Sequence, residues 1–154
     1  MNKALFLDRD GTINVDKKYV YRIEDFEFLP HIFKICQKAQ DNGYLIIVIT
    51  NQSGVERGFY TIEDLHRCNQ YMINEFYKRG IKITDIYYCT SLNDSNYNRK
   101  PNPGMFLQAK NKYNIDMSLS LSIGDKIRDL KAAEKAGVKH NFLINNIDCL
   151  YKYL

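Results

Sequence analysis

Six consecutive apolar residues, Tyr44-Leu45-Ile46-Ile47-Val48-Ile49, end abruptly at Thr50-Asn51-Gln52-Ser53. A strand with one wet face alternates apolar and polar residues, so an unbroken β-branched run needs cover on both faces. Ala4-Leu5-Phe6-Leu7 repeats the pattern and stops at Asp8. Asp85-Ile86-Tyr87-Tyr88-Cys89, Leu119 to Ile123 and Asn141 to Ile144 are three further strands. The segments between them carry helical stripes. Pro30 opens a helix with Ile32, Phe33, Ile35, Cys36 and Ala39 on one side, and Gly43 closes it. Thr61-Ile62-Glu63-Asp64 reads as a capping box that starts a long helix ending at Gly80. Met105, Phe106, Ala109 and Tyr113 mark a third helix, and Leu130, Ala133 and Ala136 a fourth, closed by Gly137. Ile147 to Tyr153 forms a last one. Ile13 to Phe28 shows no clean period and reads as a flap; Thr90 to Pro103 is a polar loop.

Strands alternating with helices predict an α/β fold: a doubly wound, mainly parallel sheet with helices on both faces. With 154 residues, no linker and no repeat, the chain reads as a single domain over 1–154. In such sheets ligands bind outside the carboxyl ends of the strands. Asp8 and Asp10, Thr50 and Asn51, Lys100 after the third strand, and Asp125 after the fourth all fall there.

Those residue types share one chemistry. Two carboxylates as close as Asp8 and Asp10 repel and seek a cation or a shared proton. Oxygen ligands with room for a substrate phosphate describe a Mg²⁺ site. Asp125 is the natural third acid, with Asp129 one helical turn on. Gly11 permits a sharp turn that exposes backbone N–H groups to an anion. The Thr50 hydroxyl and Lys100 ammonium would neutralise phosphoryl oxygens, the main task of phosphoryl-transfer catalysis.

Composition narrows the setting. A net charge of +4 without a Lys/Arg run favours anionic ligands without a basic groove for nucleic acid. Cys36, Cys68, Cys89 and Cys149 are scattered, so neither a disulfide framework nor a zinc cluster is expected. The N-terminus is too poor in apolar residues for a signal peptide, and no run approaches a membrane span. A cytoplasmic protein follows, with a small phosphorylated substrate, no nucleic-acid or membrane partner, and a monomeric state.

The motifs Asp8-Arg9-Asp10-Gly11-Thr12, Thr50, Lys100, and Gly124-Asp125 with Asp129 resemble, in order, the four motifs of the haloacid dehalogenase-like (HAD) phosphatases. The resemblance implies that Asp8 is the nucleophile, forming an aspartyl-phosphate, and that Asp10 is the general acid and base. It implies Mg²⁺ held by the Asp8 side chain, the Asp10 backbone carbonyl and Asp125, with Thr50 and Lys100 on the phosphoryl group. No cap domain fits between the motifs.

Asp16 and Tyr19-Val20, Phe26-Glu27-Phe28, Thr50-Asn51-Gln52-Ser53-Gly54, Arg57-Gly58, Arg99-Lys100-Pro101-Asn102-Pro103 and Gly124-Asp125-Lys126 carry a closer likeness. They resemble the branch that removes the 7-phosphate of D-glycero-D-manno-heptose 1,7-bisphosphate, and the related histidinol-phosphate phosphatases. That likeness implies a substrate bordered by Asp16, Lys17, Lys18, Tyr19, Asn51, Gln52, Ser53, Arg57, Arg99 and Lys126, with Arg99 on the non-reacting phosphate. Those relatives carry a Cys/His zinc loop before the Arg-Lys pair. Here Thr90 to Asn98 holds neither Cys nor His, and no zinc is expected. A signalling receiver domain uses similar residues, but its phospho-accepting Asp follows a middle strand, where this chain has Cys89-Thr90.

Overall fold

A computed structural model describes residues Met1–Leu154. β1 (Lys3–Leu7) runs through the centre of a five-stranded parallel sheet. On one side it pairs with β2 (Tyr44–Asn51), which pairs with the edge strand β3 (Asp85–Cys89). On the other it pairs with β4 (Leu121–Gly124), followed by β5 (His140–Leu143) at the opposite edge. The order is therefore β3-β2-β1-β4-β5.

The unbroken apolar runs are explained by cover on both faces. Leu5 and Leu7 of β1, with Ile46 and Val48 of β2, pack with α1 (Ile32–Asp41) and α2 (Ile62–Lys78) through Ile35, Cys68, Met72 and Phe76. Ala4 and Phe6, with Ile47 and Ile49, face the other way. They meet α3 (Gly104–Tyr113) and α4 (Ile127–Lys135) through Met105, Phe106, Ala132 and Ala133. Every one of these β1 and β2 residues is at most 1% exposed. Full burial of a Leu or Ile side chain contributes about 1.5–3 kcal/mol, so either face alone would leave the sheet half supported.

Local signals fix the helix ends. Thr61 accepts from the Asp64 backbone while the Asp64 side chain accepts from the Thr61 N–H, the reciprocal box that satisfies two free donors. Four boundaries differ from expectation. The first helix starts at Ile32, two residues past Pro30. Met117–Leu119 is a 3-10 turn, and the fourth strand begins only at Leu121, because the buried Ser120 turns its hydroxyl to the Ala4 N–H. The fifth strand lies one residue earlier, at His140–Leu143. The last helix, α5, is confined to Ile147–Leu150.

The connections from β1 through α1 and α2 run to one side of the sheet, and β4 and β5 lie on the other. The carboxyl ends of β1 and β4 thus flank a topological switch point, where a crevice opens between diverging connections. Register brings Leu7 level with both Val48 and Ile123, so the residues that follow, Asp8, Thr50 and Asp125, emerge together.

Candidate active site

At the switch point Lys100 reaches under Asp8. Its ammonium lies 2.9 Å from Asp8 Oδ1, 2.7 Å from the Ile49 carbonyl and 2.8 Å from Asp129 Oδ1, and its side chain is 2% exposed. Three donors thus meet three acceptors, as a buried ammonium requires. The loop that carries Lys100 is pinned to the end of β2. Asn51 donates its amide to the Lys100 carbonyl at 3.2 Å and accepts from the Lys100 N–H at 3.1 Å.

Asp8, Asp125 and Asp129 bring carboxylate oxygens within 4.8 Å of one another. Asp129 engages both its oxygens inside the protein, one with Lys100 and the other with the N–H groups of Asp125 (3.2 Å) and Lys126 (3.1 Å). Asp8 and Asp125 are the acids left to face an ion. Burial pushes the Asp8 carboxyl up to about 8, against the pull of Lys100, while Asp129 and Asp10 add to the rise. Burial and Asp129 raise Asp125 as well. Three acids around one ammonium leave negative charge that a further cation would offset. Clustered hard oxygen donors beside a phosphate-sized space fit Mg²⁺. Gly11 makes the approach possible: at φ +91 it lies so close to Asp125 that a β-carbon would fall 2.1 Å from Asp125 Oδ2.

Asp10 sits in a cage of donors. Its Oδ1 accepts from Arg9 Nε (3.2 Å), a terminal Arg9 nitrogen (3.0 Å) and Asn14 Nδ2 (2.9 Å). Its Oδ2 accepts from Gln52 Nε2 at 2.9 Å. Gln52 also donates to Thr50 Oγ1 at 2.9 Å and accepts from the Tyr60 hydroxyl at 2.5 Å. Arg9 is fully buried, and also donates to Asn69 on α2 (2.9 Å) and to the Val20 carbonyl in the flap (2.6 Å). One guanidinium therefore ties the acid to the core and to the flap. The carboxylate beside it raises the Arg9 pKa in spite of burial.

A polar cavity of about 290 Å³ opens over these groups. Of the residues expected there, Asp8, Asp10, Asp16, Lys18, Tyr19, Asn51, Gln52, Ser53, Arg99, Lys100, Asp125 and Lys126 line it. Thr50 lies beneath, 1% exposed, held by Gln52. Lys17 and Arg57 are not brought to the cavity. Lys17 is exposed and reaches Glu27 at 3.8 Å, and Arg57 stands on the exposed turn after Gly54. The turn at Lys18, with its N–H on Asp16 Oδ1 and φ +75, swings successive side chains in different directions.

Sequence reasoning misses Arg9, Tyr60 and Arg128. Arg9 finds its partners 11 and 60 residues away, which no local pattern announces. Arg128, two residues beyond Lys126, was within reach of a simple spacing argument for the first turn of α4. The loop from Thr90 is tied by its own polar residues. Asn93 accepts from Ser95, Asn96 accepts from the Asn98 N–H, Asn102 bridges the Asp94 and Asn96 carbonyls, and the Leu92 N–H reaches the Glu56 carboxylate.

An aspartate-bearing loop at the end of the central strand, a lysine beneath it and paired acids after the next strand are the arrangement of a phosphatase of HAD-like fold. Residues 3–142 match the family model described as "Polynucleotide kinase 3 phosphatase", and the chain belongs to that family. It is 48% identical to D-glycero-alpha-D-manno-heptose-1,7-bisphosphate 7-phosphatase of Campylobacter jejuni, over 93% of this chain and 83% of the relative. It is 45% identical to D-glycero-beta-D-manno-heptose-1,7-bisphosphate 7-phosphatase of Helicobacter pylori, over 93% of this chain and 84% of the relative. The crystal structure of D,D-heptose 1,7-bisphosphate phosphatase from B. bronchiseptica, complexed with magnesium and phosphate, superposes with a TM-score of 0.83 at 29% identity. That match covers 90% of this chain and 78% of the other. No helix is long and apolar enough to cross a membrane.

Proposed function

We propose that the chain hydrolyses the 7-phosphate of D-glycero-D-manno-heptose 1,7-bisphosphate through an aspartyl-phosphate on Asp8. The observation that carries the substrate is the similarity, over 93% of the chain, to relatives named for that reaction. The site supports the chemistry. An Asp8 oxygen attacks phosphorus and the bond from phosphorus to the sugar oxygen breaks. Asp10 gives that oxygen a proton. Asp10 then takes a proton from water as the water oxygen attacks the acyl phosphate, which releases inorganic phosphate and restores Asp8. Lys100 and Thr50 neutralise and orient the phosphoryl oxygens. Asp8, the Asp10 carbonyl and Asp125 would hold a Mg²⁺ ion, which would supply the remaining positive charge.

To deliver a proton, Asp10 must give up hydrogen bonds that it accepts from Arg9, Asn14 and Gln52. Arg9 and Gln52 therefore set the cost of that step. The test is a substrate panel with Mg²⁺: both anomers of heptose 1,7-bisphosphate, histidinol phosphate and a 3′-phosphorylated oligonucleotide. Heptose bisphosphate is expected to give the highest kcat/KM; finding it the poorest substrate would overturn the proposal.

A further inference from the structure

The cations around the cavity are not equivalent. Lys100 is fully engaged beneath Asp8. Arg99 is partly engaged: its Nε lies 3.2 Å from Asp94 Oδ1, and one terminal nitrogen donates to the Ser91 carbonyl at 2.9 Å. Lys18 and Lys126 are exposed ammonium groups. Arg128 differs from all of them. It rises from the first turn of α4 into the cavity wall, has no carboxylate within ion-pairing distance, and its buried Nε has no hydrogen-bond partner. A buried guanidinium N–H without a partner is costly to keep in a folded protein. Arg128 lines the same cavity as Asp8. A planar fork of donors matches a phosphate, which can accept two parallel hydrogen bonds.

We propose that Arg128 is a specificity-determining residue that binds the second, non-reacting phosphate of the substrate, alongside Arg99 and Lys126. The inference rests on the bisphosphate reading given above. Arg99 comes from the loop after β3 and Arg128 from the start of α4, so the two guanidinium groups approach the cavity from opposite sides of β1. Between them they can hold a doubly charged group at a fixed distance from the transferring phosphoryl, which selects bisphosphates over monophosphates. Asp8, Asp10, Asp16 and Asp125 line the same cavity, so a second phosphate away from the reacting one is favoured only beside these cations.

The experiment compares kcat/KM for heptose 1,7-bisphosphate with kcat/KM for heptose 7-phosphate in wild type, R128Q and R128K. Thermal melting checks that each variant is folded. The wild type is expected to prefer the bisphosphate. In R128Q the ratio should fall about 10–100-fold, mainly through KM, the effect of losing a charge-assisted contact. R128K keeps the charge without the fork and should fall part of the way. An unchanged ratio in folded R128Q, or a full wild-type ratio in R128K, overturns the Arg128 assignment alone. A wild type with no preference for the bisphosphate overturns both the assignment and the substrate reading.

Discussion

Replacing Lys100 by methionine removes a buried ammonium and keeps most of its volume. The nitrogen makes three contacts of 2.7–2.9 Å with Asp8, Asp129 and the Ile49 carbonyl. Charge-assisted hydrogen bonds are each worth about 1.5–3 kcal/mol, while desolvating the ammonium costs several kcal/mol in return. The net loss on removing one partner of a buried pair is about 3–5 kcal/mol, because the carboxylates stay behind without it. For a domain of this size that lowers Tm by about 6–20 °C. The assay is thermal melting of wild type and K100M in EDTA and in excess Mg²⁺. The gap should be largest in EDTA and narrow in Mg²⁺, since the ion neutralises part of the charge that the lysine did. Turnover should fall about 10²–10³-fold in either case. A K100M protein that melts within 2 °C, roughly one half to one kcal/mol, of wild type in EDTA would refute the claim that this ammonium holds the acidic cluster together.

Other perturbations test separate parts of the site and fold. Asp8→Asn keeps the shape of the proposed nucleophile and should abolish turnover and phosphoryl-enzyme trapping while the protein still folds; retained activity would remove Asp8 as nucleophile. Gly11→Ala forces a β-carbon to within 2.1 Å of Asp125 Oδ2, so Mg²⁺ affinity measured by calorimetry should drop at least tenfold. An unaltered affinity would show that Asp125 does not need the close approach. Burial raises the Asp85 carboxyl, but the Tyr113 hydroxyl (2.7 Å), the Lys112 ammonium (3.0 Å) and the Ile86 N–H (2.8 Å) outweigh it and hold its pKa below the usual range. Such a carboxylate stabilises the fold above its unfolded pKa, and the contribution is lost as pH falls through its folded pKa. Asp85→Asn should therefore cost about 0.5–1 kcal/mol at pH 7, with the gap to wild type closing as pH falls below about 4. A gap that persists in acid would place the effect elsewhere.

The donors around Asp10 set it apart from its neighbour Asp8. Asp8 and Asp10 are two residues apart, yet they meet opposite surroundings. Asp8 is beside an ammonium and two further acids, and burial raises it. Asp10 accepts hydrogen bonds from a guanidinium and two amides. Two carboxylates from one short segment can take different roles because their neighbours come from different elements: Lys100 and Asp129 for one, Asn14 and Gln52 for the other.

The sequence by itself determined the strands, because a run buried on both faces has no alternation to hide. Tyr44 to Ile49 and Ala4 to Leu7 are visible for that reason, and so are the acids, Thr50 and Lys100 that follow strand ends. Residue type and position at a carboxyl edge suffice to mark them. Helix ends were legible where capping chemistry is local, as at Thr61 and Asp64. The short fourth strand was not, since the start of β4 depends on a contact between Ser120 and Ala4 across the sheet. Only the tertiary structure decided which polar residues turn inward. It left Lys17 and Arg57 on the surface, buried Arg9 between Asp10, Asn69 and Val20, and brought Arg128 to the cavity wall. Side-chain direction in loops and first turns is set by contacts distant in the chain, and those contacts carry no pattern that a single sequence displays.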